Sequence, residues 1–246
     1  MALQLFIPCF VDQYAPRVGA AVVRLLERLG VPWEYPRDQT CCGQFALSVG
    51  DPTTARSLMR HFLRVFGEAE AILCPSASCA VMVRRHYPEL AGDEKERREI
   101  EAVAGRVREL GEWLAERAPL PWRPRFEGAL VLHRSCKARQ LGVLPAAARV
   151  LAQVEGLKLL EVSPYYSCCG FGGVFSLQQP QLSQDIGGAY LQAVRATGAQ
   201  GLVSQDYSCL LHLQGIAQAR DGDLKFFHLA EILLQDDAPA LQGSHP

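Results

Sequence analysis

The residues best suited to chemistry in this chain are two Cys-Cys-Gly tripeptides, Cys41-Cys42-Gly43 and Cys168-Cys169-Gly170, the second continuing into Phe171-Gly172-Gly173. Adjacent cysteines running into glycine suit neither a strand nor a helix. Neighbouring side chains normally diverge, but a glycine at positive φ folds the backbone back and lets both sulfurs face one centre. Gly43, Gly170 and Gly172 are therefore expected to shape cofactor-binding loops. The repetition extends further: Cys9 precedes Cys41 by 32 positions and Cys136 precedes Cys168 by 32, while Cys79 follows Cys42 by 37 and Cys209 follows Cys169 by 40. Any one cysteine alone reads as a small buried hydrophobe, but two matched sets of four do not. The repeating unit is about half the chain, which predicts a duplicated domain and not a solenoid.

Three sulfur chemistries fit this pattern. Four thiolates satisfy a tetrahedral zinc site, although neither set offers the short C-x-x-C knuckle usual for zinc. Adjacent cysteines chelate a single small ion awkwardly and suit a cluster presenting several irons. Each Cys-Cys could instead be a dithiol exchanging with a disulfide, which leaves Cys9, Cys79, Cys136 and Cys209 unexplained. His133, three residues before Cys136, could ligate a cluster or donate a hydrogen bond to one of its sulfurs; it could equally satisfy backbone groups at a strand end. Tyr165 and Tyr166 are either a shield for such a centre or ordinary core or surface aromatics. Gly170 to Gly173 match neither phosphate-binding glycine pattern, which argues against a nucleotide.

Composition narrows the partners. At 246 residues and 49% hydrophobic content, the chain is long enough for one large or two modest folded domains. With 25 basic against 26 acidic residues its net charge is −1, so bulk electrostatics give no reason for a nucleic acid or an anionic membrane as partner. The opening Met1 to Pro8 has no basic region ahead of its apolar run, and no stretch reaches the length of a transmembrane segment. A cytoplasmic protein is expected. There nine cysteines would be reduced, and an odd number could not pair completely.

The elements that must position the sulfurs alternate in type. Strands are expected at Leu3 to Cys9, Val31 to Tyr35, Ala69 to Cys74, Ala129 to His133, Leu157 to Val162 and Gly201 to Ser204, with a last strand and helix between Leu224 and Leu234. Helices are expected at Gly19 to Leu29, Thr53 to Phe66, Pro145 to Val154 and Gln181 to Thr197. Cys79 and Cys209 fall where a loop enters a helix, where the helix dipole favours thiolate. Glu94 to Arg117 reads as one charged helix with apolar Ile100, Val103, Val107, Leu110 and Leu114, its charges, including Glu94 and Arg98, forming a solvated face. Pro119, Pro121 and Pro124 break periodicity and divide the chain into residues 1–120 and 121–246. The expected fold is α/β: two pseudo-symmetric Rossmann-like units with parallel sheets and cysteine loops at the strand C-termini, where open sheets place ligands.

With the stretches Cys9 to Asp12, Cys41 to Gln44, Pro75 to Cys79, His133 to Cys136, Cys168 to Gly173 and His228 to Glu231, the chain resembles the cysteine-rich CCG-domain family, which includes the CCG subunit of heterodisulfide reductase and the iron-sulfur subunit of glycolate oxidase. The likeness covers essentially the whole chain and is strongest to the lactate-utilisation branch. It implies one or two iron-sulfur clusters, of 4Fe-4S type, held by Cys9, Cys41, Cys42 and Cys79 and by Cys136, Cys168, Cys169 and Cys209. It also implies electron transfer in oxidising L-lactate or glycolate beside companion subunits, among them another iron-sulfur or flavin protein. The heterodisulfide reductase member uses a fifth cysteine in a terminal C-x-x-C. Here Cys74 is the candidate, separated from Cys79 by four residues, and the second half has Ser204 in its place. No residue stands out as a base for a hydroxy-acid substrate, so the chain is expected to work within a complex. Zinc holding an interaction scaffold together, and a thiol-disulfide redox subunit, are the alternatives.

Overall fold

A computed structural model describes residues 3–219 and 222–235, so the ends of both expected units, Met1, Ala2 and residues 236–246, lie outside the described residues. Among the described residues, β1 (Leu3–Leu5), β2 (Trp33–Glu34), β3 (Ile72–Cys74) and β4 (Val107–Glu109) form a parallel sheet in the order β2-β1-β3-β4. A second parallel sheet contains β5 (Arg125–Leu132), β6 (Glu155–Leu160), β7 (Gly201–Ser204) and β8 (Lys225–His228) in the order β6-β5-β7-β8. The two orders are the same, as expected for a duplicated α/β unit. Parallel neighbours need crossover connections, and the strands buried on both faces read as continuous apolar runs. β3 and β7 meet that description, every residue of each being buried.

The crossovers are helical. In the first unit α1 (Cys9–Tyr14) and α2 (Pro16–Arg28) follow β1, and α3 (Gln44–Ser48) and α4 (Pro52–Phe66) follow β2. After β3 come α5 (Ala77–Val81), a π-helical turn at Met82–His86, α6 (Tyr87–Leu90) and α7 (Glu94–Ala104), and α8 (Leu110–Ala115) follows β4. In the second unit α9 (Cys136–Leu141) and α10 (Leu144–Leu151) follow β5, α11 (Phe175–Gln178) and α12 (Pro180–Ala196) follow β6, α13 (Tyr207–Gln218) follows β7, and α14 (Leu229–Ile232) follows β8. Local sequence explains their limits. In α4, for example, Asp51 accepts a hydrogen bond from the Thr54 amide at 3.0 Å, Pro52 occupies the first turn, and Ala55, Met59, Phe62 and Phe66 recur on the buried face.

The single helix expected over Glu94 to Arg117 is instead a helix, a strand and a second helix. Gly105 caps α7, and Val107 to Glu109 pair with Ile72 to Cys74 as the fourth strand. Three residues of buried strand satisfy a helical period by accident. The solvated face does exist, and on it Arg97 bonds Glu94 at 3.0 Å and Glu101 at 3.2 Å.

The units are not packed as separate globules. One core cluster runs through Leu5, Val22 and Leu25 of the first and Leu130, Val203 and Leu210 of the second. Helices meet in symmetric pairs across the junction, α8 on α10 as α14 on α2, and α5 on α9 as α1 on α13. This arrangement turns the C-terminal ends of both sheets towards each other.

Candidate metal centre

Each cysteine is placed by the end of a strand. Cys79 and Cys209 sit in the first turns of α5 and α13, the helix entries expected of them; Cys9, expected at the end of a strand, instead opens α1, as Cys136 opens α9, and among the matched cysteines the two Cys-Cys-Gly segments alone lie outside helices. Strand ends at this edge feed directly into helices, and Ser76 and Ser135 cap two of them through the Cys79 and Ala138 amides. Gly43 and Gly170 take the positive φ expected, 83° and 85°. That geometry aims the Gly43 amide at the Cys41 Sγ and the Gly170 amide at the Cys168 Sγ, both at 3.4 Å. Gly172, at φ 54°, continues the second loop.

The eight matched cysteines line a single cavity of about 290 Å³ between the units. One water requires only about 10–15 Å³, so the space admits a group of many atoms. In the first set Cys9 Sγ lies 3.8 Å from Cys41 Sγ, Cys41 touches Cys42, and Cys42 touches Cys79. In the second, Cys169 and Cys209 sulfurs are 3.0 Å apart, while Cys136 and Cys168 are the exposed members. Cys74 does not line the cavity. It is buried behind Cys79, in contact with that thiol, and donates to the Ser76 carbonyl at 3.5 Å.

Packing this many sulfurs together sets their protonation. Hydrogen bonds from Cys42 and then Cys9, with one from the Gly43 amide, hold the Cys41 thiol well below the usual range. Those same bonds to Cys41 push Cys9 and Cys42 up. Cys168 is raised by its bond with Cys169, then by burial. For Cys169 the contact with Cys168 acts downward, but Cys209 and burial outweigh it and the thiol is raised. A cation would displace these protons and convert mutual repulsion into shared coordination.

His133 supports the same chemistry. Its ring is buried, stands edge-on to Tyr190 at 5.0 Å between centroids, and has no hydrogen-bond partner at either nitrogen among the described residues. A ring nitrogen and the Cys169 and Cys209 sulfurs lie within 4.8 Å of one another. Burial lowers its pKa to about 4, so the ring is neutral and keeps a lone pair to offer. Thiols backed by a neutral imidazole fit a thiophilic metal or an iron-sulfur cluster.

Two features of the site carry no cysteine and are not apparent from sulfur spacing. The first is a buried polar knot. Asp206, three residues before Cys209, accepts from Ser76 Oγ at 3.0 Å, the Ser78 amide at 2.8 Å and Ser135 Oγ at 2.6 Å. Ser76 stands three residues before Cys79, so repeat-related positions bond each other across the junction. Flanking them, Glu109 at the end of β4 accepts from Gln205 Nε2, and His228 at the end of β8 bonds the Pro75 carbonyl at 3.1 Å. Burial raises the Glu109 carboxyl to about 8. Its Oε1 and the Gln205 Oε1 lack partners among the described residues, and both are acceptors unless Glu109 carries a proton. The sequence signal available was the shared −3 position.

The second feature is an aromatic clasp. Phe10 stacks on Phe45 at 5.7 Å, and Phe171 of the other unit meets Phe10 edge-on at 5.5 Å, all three lining the cavity. Tyr165 and Tyr166 do not share this role: Tyr165 is 95% exposed and Tyr166 46%.

Comparison with known proteins follows the same two-part pattern. The cysteine-rich CCG domain model matches residues 3–84 and again 130–214. Lactate utilization protein A of Macrococcus caseolyticus is 34% identical over 236 residues, covering 95% of this chain and 96% of that protein. Lactate utilization protein A of Bacillus thuringiensis is 34% identical over 241 residues, covering 95% and 98%. Among solved structures, a glutamate racemase from Bacillus anthracis overlaps 96% of this chain and 79% of its own at 13% identity and a TM-score of 0.41, too slight a likeness to carry an argument. Among the described residues no helix is long and apolar enough to cross a membrane.

Proposed function

The chain belongs to the cysteine-rich CCG domain family, and from that footing we propose that it is an iron-sulfur electron-transfer subunit in the oxidation of a 2-hydroxy acid, L-lactate to pyruvate. The observation that carries this reading is the convergence of eight thiols from two repeats on one cavity. Cys9, Cys41, Cys42 and Cys79, with Cys74 behind them, would hold one group; Cys136, Cys168, Cys169 and Cys209 would hold the other. An iron-sulfur cluster, when bound, supplies reversible one-electron storage.

The chain's own residues set the conditions for that storage. The Gly43 and Gly170 amides donate to cysteine sulfurs, a contact that favours the more reduced state. Phe10, Phe45 and Phe171 line the cavity beside the sulfurs and lower the local dielectric there. Asp206 binds the caps of α5 and α9 together and so fixes the spacing between the two sets.

Relatives named for lactate utilization support lactate as the source of electrons. Oxidising lactate releases two electrons and two protons, and companion subunits, including another iron-sulfur or flavin protein, would carry out that oxidation and accept the electrons onward. A cytoplasmic location accords with this role. The test is iron, acid-labile sulfide and zinc content, with a visible spectrum, on protein purified without oxygen. Iron and sulfide in near-equal amounts, with absorption that bleaches on reduction, are expected. Zinc alone, persisting after attempted cluster reconstitution, replaces this reading with a zinc-stabilised scaffold.

A further inference from the structure

We propose that the two cysteine sets hold chemically different centres, the second taking His133 as a nitrogen ligand beside Cys169 and Cys209 while the first is bound by sulfur alone. The proposal rests on the reading that the cysteines hold metal, and it specifies how they divide the work.

The comparison is anchored in the backbone. His133 stands three residues before Cys136, and Phe6 stands three before Cys9. Their amides make the same bond one strand over, Phe6 to the Leu73 carbonyl at 2.9 Å and His133 to the Val203 carbonyl at 2.8 Å. The two side chains therefore leave equivalent points of the fold. Phe6 is fully buried and packs edge-on against Phe62 and Phe66 at 5.0 and 5.5 Å, and it offers no donor. His133 is equally buried, yet brings two nitrogens with no partner among the described residues. Leaving such a group unpaired carries a desolvation penalty, which a packed phenylalanine at the same point avoids.

Two further observations locate the missing partner. The ring nitrogen and the sulfurs of Cys169 and Cys209 lie within 4.8 Å of one another, and Tyr190 fixes the ring plane. Donors bound at about 2.3 Å for sulfur and about 2.0–2.1 Å for nitrogen around one tetrahedral ion stand about 3.5–3.8 Å apart, within a small side-chain rotation of this arrangement. The opposite change occurs at the strand neighbour. The first set keeps a fifth thiol, Cys74, against Cys79, whereas the second has Ser204, whose hydroxyl instead accepts from the Asp206 amide at 3.0 Å. The second repeat thus lacks one sulfur and gains one nitrogen.

The test uses the full chain, loaded without oxygen and grown with [15N]histidine. Pulsed EPR of the reduced protein is expected to show the hyperfine coupling of a directly bound histidine nitrogen, lost in His133→Asn. His133→Cys, which returns a soft donor, is expected to keep the metal and lose the nitrogen coupling. X-ray absorption at the iron and zinc edges distinguishes failure of this inference from failure of the electron-transfer reading. Iron bound through sulfur only overturns the inference and leaves that reading standing. Zinc bound through nitrogen and sulfur, without iron, sustains the mixed ligation and removes the redox role. Absence of any metal overturns both.

Discussion

The two repeats share a sheet order and the backbone bonds that aim their cysteines, yet differ at almost every polar position behind the sulfurs. Phe6 faces His133, Cys74 faces Ser204, Ser76 faces Asp206 and Glu109 faces His228, each pair occupying corresponding points of the two units. Exposure differs as well, since both exposed cysteines, Cys136 and Cys168, belong to the second set. The strand ends and glycine loops bring sulfurs to one place, and the surrounding residues decide what those sulfurs bind. A duplicated frame does not by itself imply duplicated chemistry.

The sharpest way to break that comparison is to remove one sulfur from each side. Cys169→Ser is expected to lose the metal of the second set and keep that of the first, and Cys42→Ser the reverse, read as iron and sulfide per chain. Full iron and activity in Cys169→Ser would remove the second set as a site. Next in size is the polar knot. Asp206→Ala leaves two buried hydroxyls and the half-buried Ser78 amide without their acceptor and is expected to cost about 4 kcal/mol in chemical denaturation, against about 1 kcal/mol for Ser76→Ala at the related position. Equal losses would mean the junction is not organised around Asp206.

The glycine loops differ by a smaller margin. A Cβ on Gly170 would fall 2.3 Å from the Ser183 carbonyl oxygen, whereas on Gly43 its nearest neighbour is a movable Leu58 methyl at 3.3 Å. Gly170→Ala should cost about 3 kcal/mol and Gly43→Ala about 1 kcal/mol, since both are strained by positive φ and only one meets backbone. A further effect is pH-dependent. Glu109 is neutral when folded below about 8 and ionised in the unfolded chain above the ordinary carboxylate pKa. Its contribution is fully present below that ordinary value and is lost as pH rises through about 8. Glu109→Gln keeps an acceptor for the Gly111 and Glu112 amides and supplies a donor towards Gln205. Melting temperature should therefore decline less between pH 5 and 9, to order of magnitude, in the variant than in the parent. Parallel curves would show that Glu109 is ionised in the fold.

Cysteine spacing made the duplication and the two sets of sulfurs legible, because loops between matched strands preserve sequence distance, and the alternation of strand and helix patterns made the parallel α/β class legible. The spacing did not reveal that both sets open into one cavity, since the packing of α5 on α9 depends on small buried residues such as Ala77 and Ala138. β4 was hidden for a different reason. Val107 to Glu109 are too few to show a period of two, and their spacing to Leu110 and Leu114 completes a helical one. Asp206 escaped notice because a carboxyl before a helix reads as an ordinary cap, and only the fold shows that it caps nothing of its own and bonds the opposite unit.

The Ser76 to Asp206 bond carries a consequence about ancestry. Two residues related by the repeat and touching each other must lie on the axis relating the halves. In a symmetric pair of identical single-repeat chains, the residues meeting there would have to be the same, serine against serine or aspartate against aspartate. A hydroxyl donating to a carboxyl at that point is available only to halves whose codons change independently. Two repeats that differ in sequence are thus free to place unlike residues at the centre of the molecule, as they also do around the sulfurs.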